Sequence, residues 1–163
     1  KAMANGFPVA AVCGRKEIME YFKPTGNVDY GGTFNGNPIS MAATLATIEE
    51  LEKNEVHKYL FKLGEEIRNK LNEIILELKL EAQVVGFGSV FQILFTKKEI
   101  TNYRDTLSSN NELFMKFQKE MMKRGVFVLP KPNKRCHISA AHTVEDINYT
   151  IEKAEEALKN LKS

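Results

Sequence analysis

A-Q-V-V-G-F-G-S-V-F-Q-I-L-F-T, residues 82–96, is the stretch on which the fold turns. It is rich in β-branched and aromatic residues, and Gly86 and Gly88 predict either a bend in one strand or a break between two. The 26 residues before it have a different period. From Glu55 to Leu80, Val56, Leu60, Leu63, Ile67, Leu71, Ile74 and Leu78 recur at steps of three and four, which is one stripe of an amphipathic helix. The period thus changes from helical to strand-like near residue 81.

Downstream, residues 97–111 read as a polar loop, and Leu113, Phe114, Phe117 and Met121 mark a helix that ends at Arg124-Gly125. Strands are expected at residues 126–129 and 135–141, on either side of the turn P-K-P-N-K. Thr143, with Asp146 three residues on, has capping-box spacing for a last helix whose Val144, Ile147, Ile151, Ala154, Leu158 and Leu161 share a face. Residues 82–163 therefore read as an α+β module, a small antiparallel sheet covered by helices.

Upstream, F-P-V-A-A-V-C at residues 7–13 suits a buried strand, and a short helix ends at Lys23-Pro24. T-G-N-V-D-Y-G-G-T-F-N-G-N, residues 25–37, is a Gly- and Asn-rich loop long enough to be functional. Asn37-Pro38 then starts a helix, since Asn is a favoured N-cap and Pro at the first position gives up an amide that would be unpaired anyway. Residues 1–37 alone hold no set of strands to complete a sheet.

Composition narrows the function classes. A formal charge of +2 does not argue for a nucleic-acid or membrane partner, and no apolar run reaches the ~18 residues of a span. The basic groups Lys97-Lys98 and Lys131, Lys134, Arg135 read as solvated turns. Cys13 and Cys136 belong to no C-x-x-C spacing, so a disulfide framework is not expected and a reducing cytoplasm fits. Cys136 and His137 would point to opposite faces of a strand, so no metal site is expected there or with His142. His57 lies on the polar side of the long helix, and Ser89 lacks the hydrolase elbow.

Gly31 to Gly36 has the Walker glycine spacing, but Asn37-Pro38 stands where Lys-Ser/Thr is required, which rejects a nucleotide P-loop. A glycine loop feeding a helix N-terminus, with the Thr33 hydroxyl, still offers donors to an anion such as phosphate. Lys1 is a surface charge by default. Its neighbours A-M-A-N-G-F-P carry almost no charge, however, and such surroundings can lower an amine's pKa enough to make it a nucleophile.

K-A-M-A-N-G-F-P-V-A-A-V-C-G-R-K-E-I-M (1–19) followed by G-G-T-F-N-G-N-P-I-S-M-A-A (31–43) resembles the cofactor-lysine region of class III pyridoxal-phosphate aminotransferases. The resemblance is closest to the glutamate-1-semialdehyde aminomutase branch, whose C-terminal domain is matched by V-G-F-G-S-V-F-Q-I-L-F-T, R-G-V-F-V-L-P and I-S-A-A-H-T-V-E-D-I.

That resemblance implies an α/β parent of PLP-transferase fold type I. Residues 1–37 would end its large cofactor domain, 38–81 would supply connecting and long amphipathic helices, and 82–163 would form an α+β small domain. Lys1 would form the internal aldimine with pyridoxal 5′-phosphate and shuttle a proton. Gly32 and Thr33 would reach the cofactor phosphate across a homodimer interface. Its substrate would be a small amino acid or amino-aldehyde. In the aminomutase the turn after L-P carries a Ser and a Phe-Glu pair; here P-K-P-N-K-R makes Asn133 and Lys134 the substrate candidates, with Lys131, Lys134 and Arg135 able to meet a carboxylate.

Most of the family's large domain precedes its lysine, so the chain is expected to be a C-terminal portion, inactive alone. Two alternatives stay open at this point: a truncated non-catalytic paralogue acting as a dimerisation or interaction module, and a stand-alone phosphate- or metabolite-binding α+β domain.

Overall fold

The computed structural model describes residues 2–161, which form two compact units, one running to Val56 and the other starting at His57. In the first unit, α1 (Lys16–Met19) and α2 (Pro38–Lys53) flank the long loop. Asn37 caps α2 as its sequence predicts, its Oδ1 accepting from the amides of Ile39 (3.1 Å) and Ser40 (3.2 Å). The strand expected at residues 7–13 does not form. Among the described residues nothing pairs with this run as a strand, and a strand cannot exist without a neighbour's backbone.

The second unit packs α3 (Val56–Glu77), whose first residue belongs to the other unit, α4 (Asn111–Lys123) and α5 (Val144–Asn160) with an antiparallel sheet. The sheet's order is β1 (Gln83–Phe87), β2 (Val90–Leu94), β3 (Cys136–His137). The stripe on α3 faces the core: Leu63, Ile67, Leu71 and Ile74 are buried with Val84, Ile93 and Phe117. Residues 82–96 are two strands and a tight turn, with Gly88 at φ +54°, where a side chain would be strained. α5 carries the full capping box of Thr143 and Asp146.

Three polar side chains of the helices hold backbone groups that the sheet leaves unpaired, in β1, in the turn after it and in residues 126–129. Asn72 of α3 accepts from the Val84 amide (2.8 Å) and donates to the Val84 carbonyl (2.9 Å), closing that point of the β1 edge. Arg68 Nη1 donates to the Gly88 carbonyl at 2.6 Å. The buried Gln118 of α4 donates to the Val128 carbonyl at 2.9 Å. The strand expected at residues 126–129 joins no sheet, and the one expected at 135–141 shortens to β3, which pairs only with Val90 and Phe91.

The loop after β2 is tied down by one carboxylate. Asp105 Oδ2 accepts from the amide and hydroxyl of Thr101 and from the amide and side chain of Asn102, while Lys98 Nζ meets its Oδ1 at 2.7 Å. The Lys98 hydrogen bond, with Thr101 next, holds this carboxyl far below the usual range.

At the end of α4, Glu120 accepts from Lys123 (2.6 Å), Arg124 (2.7 Å) and Asn160 of α5 (3.1 Å). Arg124 also bonds Glu156 of α5 at 3.0 Å. The Lys123 and Arg124 bonds pull the Glu120 carboxyl down to about 2. A carboxyl depressed in the folded state stabilises fully above its unfolded pKa of about 4.3, and the contribution is lost as pH falls toward about 2. Thermal melts between those limits should show a steep loss of stability that Glu120→Gln flattens; an unchanged slope in the variant would exclude Glu120 as its source.

No helix among the described residues is long and apolar enough to cross a membrane.

Candidate active site

Of the residues singled out by sequence, Gly32 and Thr33 sit in the exposed turn that leads to α2, Asn133 and Lys134 belong to the second unit, and Lys1 lies outside the described residues.

The turn is positioned from behind. Phe22 and Tyr30 pack edge to face with ring centres 5.1 Å apart, and Val28 returns its amide to the Tyr21 carbonyl at 2.8 Å, so the chain enters Gly31 from a fixed direction. Asn35 donates its amide to the Gly32 carbonyl at 3.0 Å, and Asn37 to that of Phe34 at 3.1 Å. A Cβ on Gly32 would lie 2.8 Å from Asn35 Oδ1, so any larger residue there displaces Asn35. Sequence reasoning missed Asn35 and the Phe22–Tyr30 pair, whose only signal was their proximity to the glycine motif.

The donors available to an anion differ from the sequence expectation. Ile39 and Ser40 give their amides to Asn37 Oδ1, and Met41 gives its own to the Asn37 carbonyl at 2.9 Å, while Pro38 has none. The first turn of α2 is therefore spent on its own cap. Among the described residues, the amides of Gly32, Thr33 and Phe34 and the Thr33 hydroxyl have no partner. Successive free amides with a hydroxyl make a donor set suited to phosphate oxygens, so these residues fit the phosphate end of pyridoxal phosphate.

Gly31, Phe34 and Asn35 line a cleft of about 960 Å³ together with Pro8, Val9 and Val12. Residues from the run after Lys1 and from the glycine loop thus line one cavity within the first unit, although Gly32 and Thr33 themselves are not part of its lining. Its size is that of a small-molecule site.

In the second unit Asn133 takes a left-handed backbone, φ +57°, which Asn tolerates better than most residues. Its Oδ1 is buried without a partner among the described residues. Lys134 is exposed and closes the turn through its amide, 3.3 Å from the Lys131 carbonyl. Cys136, half-buried on β3, has its thiol pushed up by burial, which makes it a poor nucleophile. Ser139 gives its amide to His142 Nδ1 at 3.1 Å, which makes that nitrogen an acceptor, and the Tyr59 hydroxyl donates to the His142 carbonyl at 2.8 Å.

The sequence profile of "Aminotransferase class-III" matches residues 1–162. Over all 163 residues the chain is 43% identical to glutamate-1-semialdehyde 2,1-aminomutase of Methanothermobacter thermautotrophicus (strain Delta H) and covers 39% of that protein. It superposes on an omega-transaminase from Sphaerobacter thermophilus with a TM-score of 0.86 at 30% identity, covering 99% of this chain and 37% of the other. A transaminase solved with PLP bound gives a TM-score of 0.77 over the same shares of the two chains at 23% identity, a likeness of fold alone. The chain thus spans well under half the length of the curated relatives it matches, 39% of the Methanothermobacter enzyme.

Proposed function

The chain belongs to the class-III aminotransferase family, its fold is a portion of fold type I, and from that premise we propose that it is part of a pyridoxal-phosphate-dependent aminotransferase or aminomutase resembling glutamate-1-semialdehyde 2,1-aminomutase. The observation that carries this reading is the run of free amides and the free hydroxyl at Gly32 and Thr33, set beside the cleft that residues 8–12 line.

When bound, pyridoxal phosphate supplies an electron sink for the carbanion formed beside the substrate nitrogen. The residues of this chain do the rest of what is assigned here. Gly32 and Thr33 hold the phosphate, the glycine by letting the backbone come close and the threonine by its hydroxyl, and they do so for the neighbouring subunit of a homodimer. Lys1 would hold the cofactor's aldehyde through its amine and would serve as the base that carries the substrate proton. Asn133 and Lys134 face a small amino-acid or amino-aldehyde substrate, Lys134 as a cation for its carboxylate. Residues 1–37 end the cofactor domain, 38–81 connect, and 82–163 form the small domain.

Because the relatives are much longer, the catalytic unit is taken to require more polypeptide than these 163 residues. Side-by-side assay of this chain and of a protein of the relatives' full length that contains it tests the reading. The longer protein is expected to convert glutamate-1-semialdehyde or to exchange an amino group with a panel of donors, whereas this chain should do neither and leave the cofactor's absorbance unchanged. Turnover by the short chain would overturn the division of labour, and a longer protein inert toward every amino donor would overturn the enzyme reading.

A further inference from the structure

Two buried side-chain atoms of the second unit, Gln92 Nε2 and Asn133 Oδ1, have no hydrogen-bond partner among the described residues. The first is a donor and the second an acceptor. A buried polar atom left unpaired costs more than its hydrogen bond would bring, so each calls for a partner.

The sheet register brings the two residues to one face. β2 pairs antiparallel with β3, Phe91 opposite Cys136, so Gln92 stands opposite Arg135 and Asn133 lies two residues further along. Phe91, Ile93 and Ile138 pack in the core, which puts Gln92, Arg135 and, by alternation, Asn133 on the other face. Gln92 and Asn133 are thus diagonal neighbours, about 7–8 Å apart at the backbone. Two amide side chains close such a span with one water between them. Additional polypeptide cannot supply the missing bonds instead, because both atoms are already covered by residues of this chain.

We infer that Gln92 is a positioning residue for Asn133, acting through one enclosed water that accepts from Gln92 Nε2 and donates to Asn133 Oδ1. The bridge ties the middle strand of the sheet to a turn that already has two constraints. These are the left-handed backbone of Asn133, φ +57°, and the Lys134 amide donating to the Lys131 carbonyl. It also sets the direction of the Asn133 amide toward substrate, a step that rests on the substrate role proposed above.

A double-mutant cycle in the full chain tests the bridge, read by amide exchange at Lys134. Gln92→Met keeps the volume and removes the donor, and Asn133→Gly removes the acceptor where the left-handed backbone suits glycine. Gln92→Met is expected to speed exchange about five-fold, the worth of one net hydrogen bond, and to change nothing when Asn133→Gly is already present. Magnetisation transfer from a long-lived water to the side-chain amides of Gln92 and Asn133 should be seen in the unaltered chain. It should be lost from whichever amide remains in each variant. Equal acceleration in both backgrounds, or side-chain amides without water contact, overturns the inference. In a protein of the relatives' length, Gln92→Met should raise KM about five-fold at constant kcat. An unchanged KM beside an intact coupling supports the bridge and removes Asn133 from the substrate site.

Discussion

In a protein of the relatives' length, Lys1→Ala is expected to lower turnover by about 10⁴-fold or more, because on the proposed reading it removes both the amine that would hold the cofactor and the base that would move the substrate proton. Lys1→Arg should do no better, since a guanidinium keeps the charge but offers neither a free amine nor a nitrogen that can act as a base near neutral pH. The loss should appear in kcat rather than in KM alone, because the lysine acts after substrate has bound. Borohydride reduction followed by peptide mapping gives an independent readout: the cofactor-modified peptide of the unaltered protein should contain K-A-M-A-N-G-F-P with the modification on Lys1. A modified lysine anywhere else, or near-normal turnover in Lys1→Ala, would remove Lys1 from the mechanism.

A large effect on stability is expected at a glycine. Gly64 lies on α3 where the turn between β1 and β2 presses on the helix, and a Cβ there would overlap the Gly88 carbonyl. Gly→Ala inside a helix normally gains about 1 kcal/mol. Here the gain is outweighed, because the atom met is backbone and cannot swing aside; the Gly88 carbonyl is itself held by Arg68. Overpacking of this kind costs about 3 kcal/mol. Gly64→Ala is therefore expected to lower the Tm by on the order of 10 °C, with faster amide exchange concentrated in β1 and β2. An unchanged or raised Tm would mean that the turn yields easily and that the close approach is not needed.

Much of this architecture was legible because it is written locally. The α3 stripe, the Asn37-Pro38 start and the Thr143–Asp146 box each need only residues within a turn or two, and all three are formed. The pair of strands in residues 82–96 also formed, but two other expected strands did not. Residues 7–13 and 126–129 have strand composition, but a strand is completed by another segment's backbone, about which its own residues say nothing. Asn72, Arg68 and Gln118 were also missed, because their partners are distant carbonyls and amides; in sequence they were polar residues beside an apolar stripe.

The glycine loop shows a subtler gap. Its motif pointed to Gly32 and Thr33, and those groups have no partner among the described residues, yet the accompanying picture of an open helix end was wrong: the same Asn37 that starts α2 uses up that end's amides. The capping signal and the anion signal compete for the same donors. The proposed phosphate recognition in this turn would therefore depend on the loop's own backbone rather than on the helix behind it.

Asn72 has a consequence beyond its two hydrogen bonds. A chain that polymerises through its sheets needs two docking edges, one to offer and one to receive, so that each added copy leaves a fresh place for the next. By occupying Val84, Asn72 blocks one pairing position in the middle of the β1 edge. A strand added there has to displace the Asn72 side chain first, so Asn72→Ala is expected to make the chain aggregate more readily on heating, read by light scattering.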